Sequence, residues 1–281
     1  MSVPPLVLCF VAASLYALGG RGRRRVWREV SFYAGVASVL VVLEPPFDGL
    51  ADTSFALHMT QHVVLLTVSA PLIVLGRPWP RLWLPFPLRA RRAVVRALAG
   101  SAGFRLVGRT AARPVVAFAL MAAALAVWHV PVLYDAAVRS EGVHVLEHVC
   151  FLATALLYWG VLLEAPPVRA RIDHLHRAGW FLAALVPGWI LALVLAYART
   201  PLYDAYASLA HRPGGLSALA DQQLAAGVMW VPGSLAYLVA GIVAFYRWLG
   251  PAQPPPQPST QPRPEEHAWT SSPRTGSPAT S

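Results

Sequence analysis

Lysine is absent from this chain of 281 residues, and all 23 basic residues are arginine. Charge of either sign is scarce: acidic and basic residues make up 13% of the sequence, against roughly 25% in a water-soluble domain. So little charge excludes a fold that faces water on every side. Cysteine is limited to Cys9 and Cys150, both in apolar stretches and in no CxxC pair. That speaks against a disulfide-stapled domain or a thiolate zinc site. There is no P-loop, dinucleotide fingerprint or internal repeat. Nor is there a Ser-His-Asp set or carboxylate dyad, so covalent catalysis has no support and an enzyme is not expected.

What the sequence does have is long apolar blocks. Hydrophobic residues account for 56% of the chain, and the mean hydropathy is +0.51. The blocks lie at roughly 4–20, 27–44, 54–76, 114–133, 143–164, 178–199 and 222–249, each near the ~20 residues that cross a hydrocarbon core. Backbone polar groups in lipid must be satisfied internally, and unbroken blocks without alternation favour helices over a barrel. The expected fold is all-α, a polytopic membrane bundle of seven transmembrane helices over residues 1–250. The second block is the weakest, because its strictly apolar core, Val30–Leu43, is short. From Pro251 the composition turns to Pro, Ser, Thr and Gln, with nine prolines in the last 31 residues. Residues 251–281 are expected to be a disordered tail.

The connections alternate in charge. Arg21, Arg23, Arg24, Arg25 and Arg28 follow the first block; Glu44, Asp48 and Asp52 follow the second; arginines from Arg77 to Arg113 fill the third connection. The fourth, with Asp135, Arg139 and Glu141, is nearly neutral; the fifth holds Arg169, Arg171 and Arg177; the sixth carries Asp204 and Asp221 against Arg199 and Arg212. Arginine-rich connections stay in the cytoplasm, so this alternation predicts an outside N-terminus and a cytoplasmic C-terminus. The first block has arginines after it and none before it. That is the reverse of a signal peptide and suits an anchor. The net charge of +10 is therefore read as topology, and nucleic-acid binding is not expected. Within the third connection, Leu88–Leu98 sets Arg89, Arg91, Arg92 and Arg96 among apolar residues at helical spacing. This pattern predicts an amphipathic helix on the anionic leaflet of the bilayer.

Ionisable groups inside a span cost several kcal/mol and usually face the bundle interior. His58 and His62 form an HxxxH pair at the outer start of the third span, and His144 and His148 a second at the outer start of the fifth, with Glu147 between them. His129 closes the fourth span ahead of Pro131, where it has the competing role of bonding a carbonyl freed by the proline. A spacing of four puts two imidazoles on one helical face, able to grip one ion. Five histidines on three helices thus converge at one level, an arrangement suited to a transition metal or a haem. Met59, Glu147, Cys150, Asp221, Gln222 and Met229 are accessory candidates, and thioether or thiolate would tilt the choice toward Cu(I). His174 and His176 are read as loop residues, His211 as an outer-loop residue, and Tyr134, Tyr203 and Tyr206 as interface anchors.

These residues also resemble a known family. His58-Met59-Thr60-Gln61-His62 with Ala70-Pro71-Leu72 and Gly76-Arg77-Pro78 is similar to the opening motif of the multi-spanning CtaG family of cytochrome c oxidase assembly proteins. So is Trp128-His129-Val130-Pro131 with Leu133-Tyr134-Asp135. The HxxEH from His144 to His148 fits the next motif. Pro201-Leu202-Tyr203-Asp204, Asp221-Gln222-Gln223-Leu224 and Met229-Trp230-Val231-Pro232-Gly233 fit the last. The likeness runs from about 55 to 245 in consistent order. It implies a multi-pass protein of the bacterial plasma membrane, needed to make an active haem-copper oxidase and working with that enzyme's subunits at metal insertion. It supplies no ligand set. The residues themselves leave open copper at the outer histidines, a haem between His62 and His148 in an electron-transfer subunit, a copper transporter, and a metal-free assembly scaffold.

Overall fold

The computed structural model describes residues 3–20, 25–168 and 170–250. Arg21, Arg23, Arg24, Arg169 and the Pro-rich segment from 251 lie outside the described residues. The described chain is all-helical. In order come α1 (Val3–Leu18), α2 (Val26–Leu43), α3 (Phe47–Ala51), α4 (Phe55–Val64), α5 (Ala70–Leu75), α6 (Pro78–Trp83), α7 (Leu88–Gly100) and α8 (Ala102–Ala111). Then follow α9 (Pro114–Trp128), α10 (Pro131–Arg139), α11 (Glu141–Leu162), α12 (His174–Ala183), α13 (Leu185–Tyr197), α14 (Asp204–Ala207) and α15 (Ala218–Leu249). Among the described residues, five helices are long and apolar enough to cross a membrane: Val26–Leu43, Phe55–Leu75, Glu141–Leu162, His174–Tyr197 and Ala218–Leu249. A sixth is added if α8 and α9, bent by 79° at their junction, count as one span.

Prolines set the breaks. Pro71 has no N–H to give, and its ring presses on the carbonyl four residues back. The chain answers with a π turn over Leu65–Ser69, where the Ala70 N–H reaches Leu65 O instead of Leu66 O. The Leu66 carbonyl freed in this way accepts from the Trp159 indole of α11 at 2.9 Å. A local irregularity thereby becomes a contact between two long helices. The same proline logic ends α9 at Trp128, short of the expected 133, because Pro131 opens a new helix. His174 and His176, expected in a loop, instead open α12, where the Asp173 carboxylate caps the Leu175 and His176 N–H groups.

The surface of the bundle is studded with exposed apolar side chains such as Phe10, Val41, Val127, Ile190 and Val239. Such a surface is costly in water and suits hydrocarbon. The interior has two main apolar clusters. One gathers Tyr158, Trp159, Phe181 and Tyr237; the other gathers Phe55, Met59, Tyr134, Tyr203, Tyr206 and Met229. The three tyrosines expected as interface anchors are thus buried, because the connections that carry them fold back over the helix ends.

Helix α2 presses on α5 where Gly35 sits. A Cβ at Gly35 would lie 2.8 Å from the Ile73 backbone nitrogen and 3.0 Å from Ser69 O. Beside this contact, the Ser38 and Ser69 hydroxyls bond at 2.8 Å. Gly35→Leu must push α2 off α5, and we expect it to cost about 1–3 kcal/mol as overpacking does. A thermal melt in detergent checks this; an unchanged midpoint would show that α2 is free to shift.

Candidate metal centre

Helix α4 carries His58 and His62, and its start is fixed from a distance. Ser54 is the N-cap, and Asp221 of α15, 1% exposed, reaches across to the same end. Its carboxylate accepts from the Ser54 hydroxyl at 2.7 Å, the Phe55 N–H at 2.8 Å and the Ala56 N–H at 3.1 Å. An acidic group at a helix N-terminus satisfies orphan donors and complements the positive end of the helix dipole. Asp221 is therefore occupied as a clamp between α15 and α4. Gln222 is likewise committed, accepting from the Leu202 N–H at 2.8 Å and donating to Leu195 O at 3.0 Å.

The clamp sets the two histidines of α4 against those of α11. His58 and His62 are 1% and 2% exposed, Glu147 is fully buried, His148 is 8% exposed and His144 is half-buried. The His58 and His62 Nε2 atoms are 3.0 Å apart. The Glu147 Oε2 atom lies 3.7 Å from each of them. Ligand atoms of His58, His144 and His148 also lie within 4.8 Å of one another. Two imidazole nitrogens bound tetrahedrally at ~2.0 Å to one ion sit about 3.3 Å apart. The observed spacing is close to what a shared ion needs.

Hydrogen bonding fixes which nitrogen of His58 is free. The Tyr206 hydroxyl donates to Ala51 O at 2.9 Å, so it accepts from His58 Nδ1–H at 2.8 Å. The His58 Nε2 lone pair is left facing His62 and Glu147, and the tautomer follows from this network. On the same side chains, His62 Nδ1, His144 Nε2, His148 Nε2 and both Glu147 oxygens are buried without a hydrogen-bond partner among the described residues. Buried polar atoms are nearly always paired, and a lone buried carboxylate costs several kcal/mol. The unpartnered His144 Nε2, His148 Nε2 and Glu147 oxygens, with the His58 and His62 Nε2 atoms beside them, fit a cation.

His129 is held apart from this group. Its Nδ1 donates to Leu125 O at 2.8 Å, a carbonyl left open where α9 stops. Its Nε2 faces the Met59 sulfur at 3.3 Å, with the His62 ring 6.2 Å away. His129 thus bonds the Leu125 carbonyl, not the Val127 carbonyl four residues before Pro131, and turns its other nitrogen to a soft sulfur beside the cluster. Met229 packs with Met59 in the apolar cluster, and Cys150 packs beside Trp128 and Phe151. His211 is exposed. Arg89, Arg91, Arg92 and Arg96 all lie on α7, which buries no residue.

Sequence reasoning missed two residues. Tyr206 passed for an interface anchor, although it holds His58. Gln61, between the two histidines of α4, donates to Val42 O at 2.7 Å and to Asp48 Oδ1 at 3.1 Å. The buried polar Gln61 within an apolar block was the available signal. Tyr206→Phe keeps the ring and removes the acceptor for His58 Nδ1–H. We expect metal affinity to fall roughly 10–100-fold, as when an outer partner of a ligating histidine is lost, with the fold intact. An unchanged affinity on titration would show that the tautomer is set elsewhere.

Comparison with known proteins identifies the family. Residues 11–250 match the family model described as cytochrome c oxidase caa3 assembly factor, Caa3_CtaG. Uncharacterized proteins of Mycobacterium bovis and Mycobacterium tuberculosis are each 22% identical over 255 residues, covering 84% of this chain and 36% of theirs. One of Mycobacterium leprae is 19% identical over 240 residues, covering 79% of this chain and 34% of its own. The chain thus spans about a third of the length of these curated relatives. No solved structure matches it.

Proposed function

Because the chain belongs to the Caa3_CtaG family of cytochrome c oxidase assembly factors, we propose that it holds a copper ion at its histidine cluster and hands it to an oxidase subunit. The observation that carries this reading is the set of buried, unpartnered atoms on His144, His148 and Glu147 beside the His58 and His62 Nε2 atoms, which are 3.0 Å apart. His58, His62, His144, His148 and Glu147 would hold the ion, and Met59 with His129 offers a softer pair alongside. Imidazole suits copper in either oxidation state, and thioether favours Cu(I), so release by ligand exchange is chemically open. The His62 and His148 rings, the pair a haem would take as axial ligands, have centroids only 5.2 Å apart, which favours an ion over a haem. A porphyrin needs a flat slot between its two axial ligands.

The same reading places the chain in the bacterial plasma membrane as seven spans. The five long helices are joined by α9, and by α1 as a short outer-to-inner anchor; the histidines then face the outside and the C-terminus the cytoplasm. With α9 upright, the 79° bend lays α8 close to the membrane plane. There α7 and α8 rest their arginines, Arg89, Arg91, Arg92 and Arg96 among them, on anionic headgroups.

The test is metal analysis and the visible spectrum of the full chain purified in detergent. About one copper per chain without a Soret band is expected. A chain that retains no copper, or one with a Soret band and sharp reduced peaks, would overturn the copper reading.

A further inference from the structure

Beside the histidine cluster lies a cavity of about 490 Å³, walled by α1, α2, α3, α10 and the start of α11. Cys9 of α1, Asp48, Asp52, Glu141, His144 and His148 all face it. This volume holds an ion with its hydration water several times over. His144 and His148, whose Nε2 atoms lack partners, form its inner end. Three carboxylates stand on the wall contributed by the outer connections. Arg139 is the basic residue on the same wall, and it is turned toward Asp135 at 3.5 Å. Asp48 is tied to Gln61, which sits on α4 between His58 and His62. Burial, then the nearby Asp48 charge, pushes the Asp52 carboxyl above its ordinary value, with His144 acting the other way.

We propose that this cavity is the vestibule by which a copper ion reaches the histidine cluster, with Asp48, Asp52 and Glu141 concentrating the cation and His144 and His148 receiving it. The proposal rests on the copper reading of the cluster and adds the route and its chemistry. A cleft lined by one sign of charge and bounded by low-dielectric walls focuses its field and raises the capture rate of an oppositely charged ligand. The half-buried His144 and the 8% exposed His148 then pass the ion inward to His58, His62 and Glu147, which are almost wholly enclosed.

Copper(I) supplied as its acetonitrile complex, mixed rapidly with the detergent-solubilised full chain, tests the route. Asp52→Asn combined with Glu141→Gln is expected to slow loading by about tenfold and to flatten its dependence on salt, with the copper bound at saturation unchanged. Gly49→Phe is an independent test. Gly49 lines the cavity, and a Cβ there meets nothing within 4 Å, so a Phe side chain has room to enter it while every carboxylate is kept. It too is expected to slow loading. If both variants load as fast as the parent, the vestibule is overturned while the metal site stands. If the unmodified chain binds no copper, the site falls and the vestibule with it.

Discussion

Replacing His58 and His62 together by alanine is expected to lower copper affinity at least a thousandfold. Loss of even an outer partner of a ligating histidine costs 10–100-fold, and this variant removes two candidate ligands whose Nε2 atoms are 3.0 Å apart. It also leaves Glu147 without the two imidazoles 3.7 Å from it. His144 and His148 remain, so a weakly held ion is expected to persist there. His211→Ala, at an exposed position, is the control and should bind copper as the parent does. Competition against a chelator of known affinity provides the measurement, with circular dichroism to show that the helices survive. Copper bound as tightly by the double variant as by the parent would sink the site.

Asp221→Ala is expected to have the largest effect on stability. Three buried donors, two of them backbone N–H groups at the start of α4, would lose their acceptor at once. Breaking a buried charged network costs about 3–5 kcal/mol; with roughly 2–4 °C per kcal/mol for a chain of this size, the melting midpoint should fall by about 10 °C. Asp221→Asn keeps an acceptor oxygen and should lose roughly half as much, because the charge opposite the dipole is gone while part of the cap remains. Copper affinity should fall in both variants although no ligand is touched, since α4 is then free to slide relative to α11. A melt of Asp221→Ala that matches the parent would rule out the clamp.

How much of this was legible beforehand differs between residues. The apolar blocks announced long helices, because hydrocarbon leaves the backbone few other choices. The two HxxxH spacings announced paired imidazoles, because helical geometry alone puts residues four apart on one face. Pro131 and Pro187, by contrast, interrupt blocks that hydropathy reads as continuous, and the ends of α9 and of α12 follow the prolines. The π turn over Leu65–Ser69 was hidden as well, since it compensates for Pro71 while the run stays apolar throughout.

Within the site the division is sharper. Asp221 looked like one more polar group near a candidate metal site, and its actual task as the cap of α4 depends on a contact 167 residues away in the chain. Tyr206 resembled an interface anchor because aromatic residues near span ends usually are; only the folding back of its connection brings its hydroxyl to His58. Glu147 stood beside two histidines, yet whether it turned inward or to lipid was set by the rotation of α11 against α4.

The sequence by itself determined the all-helical class, the family and the gathering of histidines toward shared helix ends, because all three follow from composition and spacing along one chain. The tertiary structure alone decided that α4 and α11 face each other, that Asp221 holds the start of α4 and Tyr206 holds His58, and that a carboxylate-lined cavity lies beside the histidines. Those are distances between residues far apart in sequence. They depend on how whole helices pack and turn, which no local pattern encodes.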